Sequence, residues 1–376
     1  MKLFDFLSIY FRLRAGRIAA VSFNVTDSCN CRCKMCAIWQ KENGPELSLE
    51  QIAKIFKEVS DAGIKVVEIT GGEPFLRRDI FEILDIMEEN GLYYTINTHG
   101  GLLTPEILKR LAGYRRILDF AVSFDTLDRK TYLALRGVDQ LDRVLENLKM
   151  VRPLMKNTIV KLSMTVSRLN YHEFPAILSF ARSNHFYLSV FPVNLGARFE
   201  HRNEAEELIP NRQEKEDMAA LFHQLARMRK SGEILCEYSK FYEGAAGYIA
   251  SGDAGPCGAG KLFLDLHADG KLAVCNDLPP FADLTQTSFQ QALEGVEKEA
   301  GRIRYCCAST PCYYTCSFGI SHIAEHSTAH ILELIKIAGV RKVWGFLFPG
   351  QSPSGEKYVP EHQRMPSENA KSIKEQ

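Results

Sequence analysis

Between Arg17 and Asn194 the chain alternates short apolar runs with longer periodic ones, and this alternation narrows the possible folds more than any other feature. It is the signature of repeated strand-helix units and predicts a parallel sheet of the α/β class. Six strands are expected: Ile18 to Val25, Val66 to Thr70, Tyr93 to Asn97, Ile117 to Phe124, Ile159 to Val166 and Tyr187 to Pro192, each rich in β-branched or aromatic residues. The first intervening helix is the most clearly marked. Ser48 is its N-cap, Gln51 completes a capping box, Ile52, Ile55, Phe56 and Val59 share a face, and Gly63 ends it. Similar patterns run from Asp79 to Asn90, Thr104 to Ala112, Leu141 to Met155 and Tyr171 to Asn184.

Composition excludes several classes. The 376 residues are 45% apolar, enough for a sizeable core. Lys plus Arg and Asp plus Glu each total 46, so no net field draws the molecule to a nucleic acid, and no nucleic-acid partner is expected. No uncharged apolar stretch is long enough to span a bilayer, and residues 1–17 lack a cleavage signal, which together with clustered thiols points to a reducing cytoplasm. Two segments are basic and amphipathic. They are Leu3 to Arg17 and Ile331 to Phe348, which admit peripheral contact with a membrane, although packing of each apolar stripe on the domain is the expectation. After Pro349 the composition turns polar and predicts a disordered tail.

The chain has eleven cysteines, and four of them, Cys29, Cys31, Cys33 and Cys36, follow the first strand within eight residues. Thiolates are soft ligands suited to zinc or an iron-sulfur cluster. A structural zinc site commonly uses separated C-x2-C pairs, whereas Cys29, Cys33 and Cys36 form a C-x3-C-x2-C triplet with Cys31 interposed. This triplet resembles the cluster loop of the radical S-adenosyl-L-methionine (SAM) enzymes. The resemblance implies that these cysteines hold a 4Fe-4S cluster whose remaining iron binds SAM. Cys31 has no place in that pattern and is read as a bystander. Met35 stands where the family usually has an aromatic residue, and its polarizable side chain can still pack beside adenine.

The same resemblance extends to the other strand ends, where a barrel of parallel strands builds its sites. Gly71, Gly72, Glu73 and Pro74 match the family's GGEP motif and imply contacts to the SAM ammonium; Asn97 and Thr98 lie in a stretch similar to one near the ligand. By resemblance Ser123 and Asp125 are candidates for the ribose hydroxyls and Arg136, followed by Gly137, for the SAM carboxylate. Ser163 and Thr165 on the fifth strand, and Pro192 with Val193 after the sixth, are weaker signals, since polar residues on barrel strands often serve packing.

Residues 198–255 are helical in pattern and carry no nameable chemistry. Beyond them, Cys257, Gly270 and Cys275 fit the opening C-x(9 to 15)-G-x4-C of the auxiliary-cluster modules called SPASM and twitch, with a strand-turn-strand pattern from Leu262 to Val274. The full later pattern is incomplete, because Ile303 replaces a cysteine and none follows Cys316. One auxiliary 4Fe-4S cluster is therefore implied, held by Cys257, Cys275, Cys312 and Cys316 with Cys306, or Cys307 in its place; zinc at the same thiols is the competing reading. Cys236 is expected to be a buried small hydrophobe. His322, His326 and His330 recur at i, i+4 and i+8 and are read as a solvated helix face.

The resulting expectation is a partial (β/α)6 TIM-like barrel at 17–197, an amphipathic arm at 1–16, a connector at 198–255, a small cysteine-rich α+β module at 256–320, an amphipathic helix at 321–349 and a tail at 350–376. The activity implied is reductive cleavage of SAM and hydrogen abstraction from an unidentified substrate, with a flavodoxin or ferredoxin as electron donor. A non-catalytic iron-sulfur or zinc protein is the alternative, and it leaves the GGEP motif without a purpose.

Overall fold

The computed structural model describes residues 1, 3–42, 44–194, 206–255, 257–296, 298–299, 312–314 and 319–338. Cys306, Cys307 and Cys316, the segment 339–349 and the polar tail lie outside the described residues.

The strand-helix alternation becomes six parallel strands in sequential order: β1 (Ala20–Asn24), β2 (Val66–Thr70), β3 (Tyr93–Thr98), β4 (Ile117–Ser123), β5 (Ile159–Val166) and β6 (Tyr187–Pro192). An N-terminal helix α1 (Leu3–Arg14) precedes them, and α2 (Leu49–Asp61), α3 (Ile80–Glu89), α4 (Pro105–Ala112), α5 (Arg129–Arg136), α6 (Leu141–Leu154) and α7 (Phe174–Ser183) connect them. This is an open, partial (β/α)6 barrel. Alternate strand residues such as Val21, Phe23, Val67, Ile69, Val122 and Leu162 have no exposed surface and pack beneath the apolar faces of the helices. Ser48 and Gln51 form the capping box that their spacing predicts, and Ile52, Ile55, Phe56 and Val59 are buried.

Two features differ from expectation, the short helix after β4 and the placing of the hairpin. The short helix α5 lies in a stretch with no long periodic pattern, yet its stops are explicit: the Asp128 side chain accepts from the Thr131 N–H, and Gly137 ends it in the left-handed region at φ 67°. The hairpin expected to found a separate module instead joins the barrel sheet. Its first strand β7 (Phe263–Leu266) pairs in parallel with β1, and β8 (Lys271–Ala273) and β9 (Ala282–Asp283) extend it in antiparallel fashion to a nine-stranded sheet. The connector contains α8 (Arg212–Ser231) and α9 (Ser239–Ser251), and Leu235 between them bridges to Leu188 on the outer edge of β6.

The N-terminal helix does not bury its whole apolar stripe, because Phe4 is 80% and Phe11 is 63% exposed. Polar anchors hold it. The Tyr93 hydroxyl donates to Asp5 at 2.9 Å, and Arg12 donates to Ile18 O at 2.8 Å and to Ala62 O at 3.0 Å, where it meets the carbonyl end of α2. The last described helix, α10 (Ile320–Ala338), takes a hydrogen bond from Arg14 at its Ala324 carbonyl. Among the described residues no helix is long and apolar enough to cross a membrane.

The barrel depends on β1 packing against α2 through Phe23 and Phe56, both fully buried with ring centroids 5.1 Å apart. Phe56→Ala is expected to cost about 3–5 kcal/mol of stability. Urea denaturation followed by circular dichroism would show this as an earlier midpoint.

Candidate cofactor and metal sites

The cysteine loop leaves the C-terminal end of β1 and is clamped by backbone hydrogen bonds from two directions. On one side Gly72 N–H donates to Thr26 O at 2.7 Å and Glu73 N–H to Ser28 O at 2.8 Å. On the other, Arg32 N–H donates to Arg136 O and Lys34 N–H to Leu135 O, both at 2.9 Å, so the end of α5 acts as a second jaw. Such close approach excludes side chains. A Cβ at Gly71, whose φ is 123°, would lie 2.4 Å from Thr26 O, and one at Gly72 would lie 2.0 Å from Ser28 O. Gly137 meets the same limit from the other jaw, 2.4 Å from Arg32 O.

Within the loop the four thiols differ in character. The Cys31 thiol is within reach of both Cys29 and Cys33 and can give its one proton to either, which raises its own pKa and lowers theirs; Cys33 is brought down to about 6, with Arg136 assisting against the effect of burial. Burial pushes Cys36 up to about 11. Cys31 is 1% exposed, whereas Cys29 and Cys36 are half-buried. Met35, which the resemblance places beside adenine, packs with Val193, Leu135, Leu169 and Leu208 in a small apolar cluster.

The GGEP carboxylate is occupied by the protein. Glu73 is fully buried and accepts from Thr98 Oγ1 at 2.7 Å, His99 N–H at 2.8 Å and Phe75 N–H at 3.2 Å. Pro74 opens the short turn that follows. His99 Nε2 in turn lies 2.7 Å from Asn30 Oδ1, which links the third strand end to the cysteine loop. Burial depresses the His99 pKa, so its ring is neutral near pH 7.

Asp125 and Arg136 form a buried ion pair. The other Asp125 oxygen accepts from Thr165 N–H at 2.8 Å, and Arg136 Nη1 donates to Cys33 Sγ at 3.7 Å. Burial raises the Asp125 pKa, and Arg136 opposes that effect. Neither side chain is free to face a ligand in this arrangement. Ser123, by contrast, keeps accessible surface.

Inside the barrel lies a polar wall of which motif reading singled out Asn97 alone, and there as a ligand contact. Asp265, Ser22, Glu68, Thr95 and Asp119 stand side by side on neighbouring strands in one register, and Asn97 and Lys161 lie one inward position further along. Asn97 Nδ2 donates to Glu68 Oε1 at 2.8 Å, and Lys161 Nζ pairs with Asp119 Oδ1 at 3.0 Å. Asp119 and Lys161 each keep 21% of their side-chain surface accessible, whereas the outward residues between them have none. A cavity wall has this pattern and a filled barrel does not. Burial raises the pKa of Glu68. The signal was present in the sequence as polar residues at alternate positions of strands otherwise rich in apolar ones.

Of the second thiol group, Cys257, Cys275 and Cys312 are described. Cys257 Sγ accepts from Ala259 N–H and Cys275 Sγ from Asp277 N–H, each at 3.4 Å and two residues on, so each sulfur already sits in a backbone knuckle. Burial raises the Cys275 pKa, and Asp277, Cys312 and Cys257 add to the effect. The segment carrying Cys312 is tied to the barrel, since Tyr313 N–H donates to Asn194 Oδ1 at 2.6 Å. Cys236 is half-buried, and burial raises its pKa strongly, consistent with an inert thiol.

A family model described as the Radical SAM superfamily matches residues 23–181. A probable GTP 3',8-cyclase of Sulfurisphaera tokodaii is 29% identical over 279 residues, covering 70% of this chain and 82% of the relative. The GTP 3',8-cyclase of Synechocystis is 28% identical, covering 69% of this chain and 79% of the relative. Among solved structures, Streptococcus suis SuiB bound to its precursor peptide SuiA superposes with a TM-score of 0.62 at 15% identity, over 93% of this chain and 76% of that one. SuiB bound to S-adenosylmethionine gives 0.59 at 17% identity, over 74% of this chain and 65% of that one.

Replacing Gly72 with alanine is expected to push the cysteine loop off its first jaw and lower the iron bound per chain after anaerobic reconstitution. Gly44→Ala, where nothing lies within 4 Å, serves as the control and should leave iron content unchanged.

Proposed function

The chain belongs to the radical SAM superfamily, and from that premise we propose that it abstracts hydrogen from a small polar molecule seated in the barrel lumen. It is an enzyme whose cofactors are a 4Fe-4S cluster, S-adenosyl-L-methionine and an auxiliary 4Fe-4S cluster. When bound and reduced, the cluster and SAM together supply a 5′-deoxyadenosyl radical. The donor set suits that group: Cys29, Cys33 and Cys36 are the proposed ligands, two thiols in the loop are already biased toward thiolate, and the glycines of the opposite jaw leave their backbone bare. Cys257, Cys275 and Cys312 are proposed for the auxiliary cluster, with Cys316 and Cys306 from outside the described residues. The electron donor of the reading is a flavodoxin or ferredoxin.

The roles of individual residues shift from those that motif resemblance implies. Asp125 is proposed to hold Arg136 by their ion pair, and Arg136 to donate to Cys33 Sγ, in place of direct contacts to ribose and carboxylate. Glu73 is proposed to lock the third strand end through Thr98 and His99, leaving the backbone of Gly71, Gly72 and Glu73 as the ligand-facing part of the motif. Ser123, on the accessible side of β4, and the apolar group of Met35 and Val193 remain the proposed contacts to ribose and adenine.

The observation that carries the substrate reading is the lumen wall. Glu68, Asp119 and Asp265 face inward on β2, β4 and β7, and among the described inward residues of β1 to β7 the one Lys or Arg is Lys161. In a low-dielectric cavity this balance repels a polyphosphate and favours a neutral or cationic polar molecule. The names of the relatives favour a second reading, a guanine nucleotide, and the two are separable. Anaerobic incubation with SAM and dithionite should give 5′-deoxyadenosine and methionine, and the Cys33→Ala variant should give neither. Added GTP is expected to remain intact and leave 5′-deoxyadenosine yield unchanged; conversion of GTP to a cyclised product would overturn the lumen reading in favour of the nucleotide.

A further inference from the structure

Outside the barrel, α10 carries the sequence His322-Ile323-Ala324-Glu325-His326, and the structure does not leave it as a solvated face. His322 is half-buried against α9, where its Nε2 stands 3.1 Å from the hydroxyl of the buried Tyr313. The same hydroxyl donates its one proton to Phe241 O at 2.7 Å. Tyr313 can therefore only accept from the imidazole, which places the His322 proton on Nε2 and leaves the lone pair on Nδ1. That Nδ1 is buried and has no hydrogen-bond partner among the described residues.

Glu325 and His326 are exposed beside it, and one ligand atom from each of His322, Glu325 and His326 lies within 4.8 Å of the others. The His322 and His326 rings are nearly parallel at 15° with centroids 6.5 Å apart, and the helix departs from regular geometry at His326, where φ is −121° and ψ is 32°. A tetrahedral ion with bonds of about 2.1 Å holds its ligand atoms roughly 3.4 Å apart, a contraction that exposed Glu325 and His326 can make by changing rotamer. A histidine whose second nitrogen is fixed by a neighbouring polar group is the usual form of a metal-ligating imidazole.

We propose that His322, Glu325 and His326 form a zinc-binding site, with His322 oriented by Tyr313 and a fourth position open to water or another ligand. Two imidazoles and one carboxylate suit zinc among the divalent ions, and oxygen-preferring magnesium or calcium would be held poorly. The site shares no ligand with the cysteine clusters, although its orienting Tyr313 follows Cys312 in the chain.

Its test uses the protein with its iron-sulfur clusters reconstituted, so that the thiols are occupied, and zinc chloride as the probe. Iron per chain reports whether each variant retains its fold and clusters. The expected result is one zinc per chain with nitrogen and oxygen donors and no sulfur in X-ray absorption. Glu325→Gln, at an exposed position, and His326→Ala should each weaken zinc binding at least tenfold in competition with a chromogenic chelator, and Tyr313→Phe should weaken it while leaving iron content unchanged. Zinc bound through sulfur, zinc retained equally by Glu325→Gln and His326→Ala, or no zinc bound by the native chain would overturn the proposal.

Discussion

The backbone clamp on the cysteine loop is the constraint on which the remaining structure depends. Four N–H to carbonyl bonds, two from the β2 end and two to the end of α5, fix a segment that would otherwise be a free connection between a strand and a helix. Each jaw reaches the loop only because a glycine stands at the contact, Gly72 on one side and Gly137 on the other. Neither is replaceable by a residue with a side chain unless a backbone carbonyl moves. The loop thus presents its thiols from a rigid support, which is what a metal centre with an open coordination position requires.

Charge is organised around that clamp in two layers. Next to the loop, the Asp125 and Arg136 pair is withdrawn from solvent and directed at Cys33, so the cation is held where it stabilises a thiolate. Deeper in the barrel the balance reverses, with Glu68, Asp119 and Asp265 set against Lys161. Asp119 keeps Lys161 charged although burial opposes it. A buried polar wall of this kind costs stability relative to an apolar filling. The relatives' names concern a nucleotide, and the difference between that anion and this wall separates the proposed substrate from theirs.

How much of this was legible in the sequence depends on whether the signal was local. The six strands, the capping box of Ser48 and Gln51, and the cysteine triplet are written in consecutive residues, and the structure places the strands and helices where their periodicity puts them. The reading of Asp125 and Arg136 as ligand contacts follows from family resemblance, yet a motif does not reveal that two such residues pair with each other at the end of α5. The same holds for Glu73, whose partners Thr98 and His99 come from the next strand. The pairing of β7 with β1 was hidden for a related reason, since a short hairpin pattern carries no mark of the sheet edge it will join. His322 was judged by helical spacing alone, and only the position of Tyr313 shows which of its nitrogens is bare.

The account rests on three thiolates holding a cluster while the fourth thiol, Cys31, stays a hydrogen-bond donor inside the loop. Electron paramagnetic resonance of the reduced protein, with SAM labelled at its amino nitrogen and carboxylate oxygen, tests this directly. The account predicts hyperfine coupling to the labelled atoms in the native chain and the same coupling in Cys31→Ala. Coupling that is absent from the native chain and arises only when Cys31 is removed would contradict it.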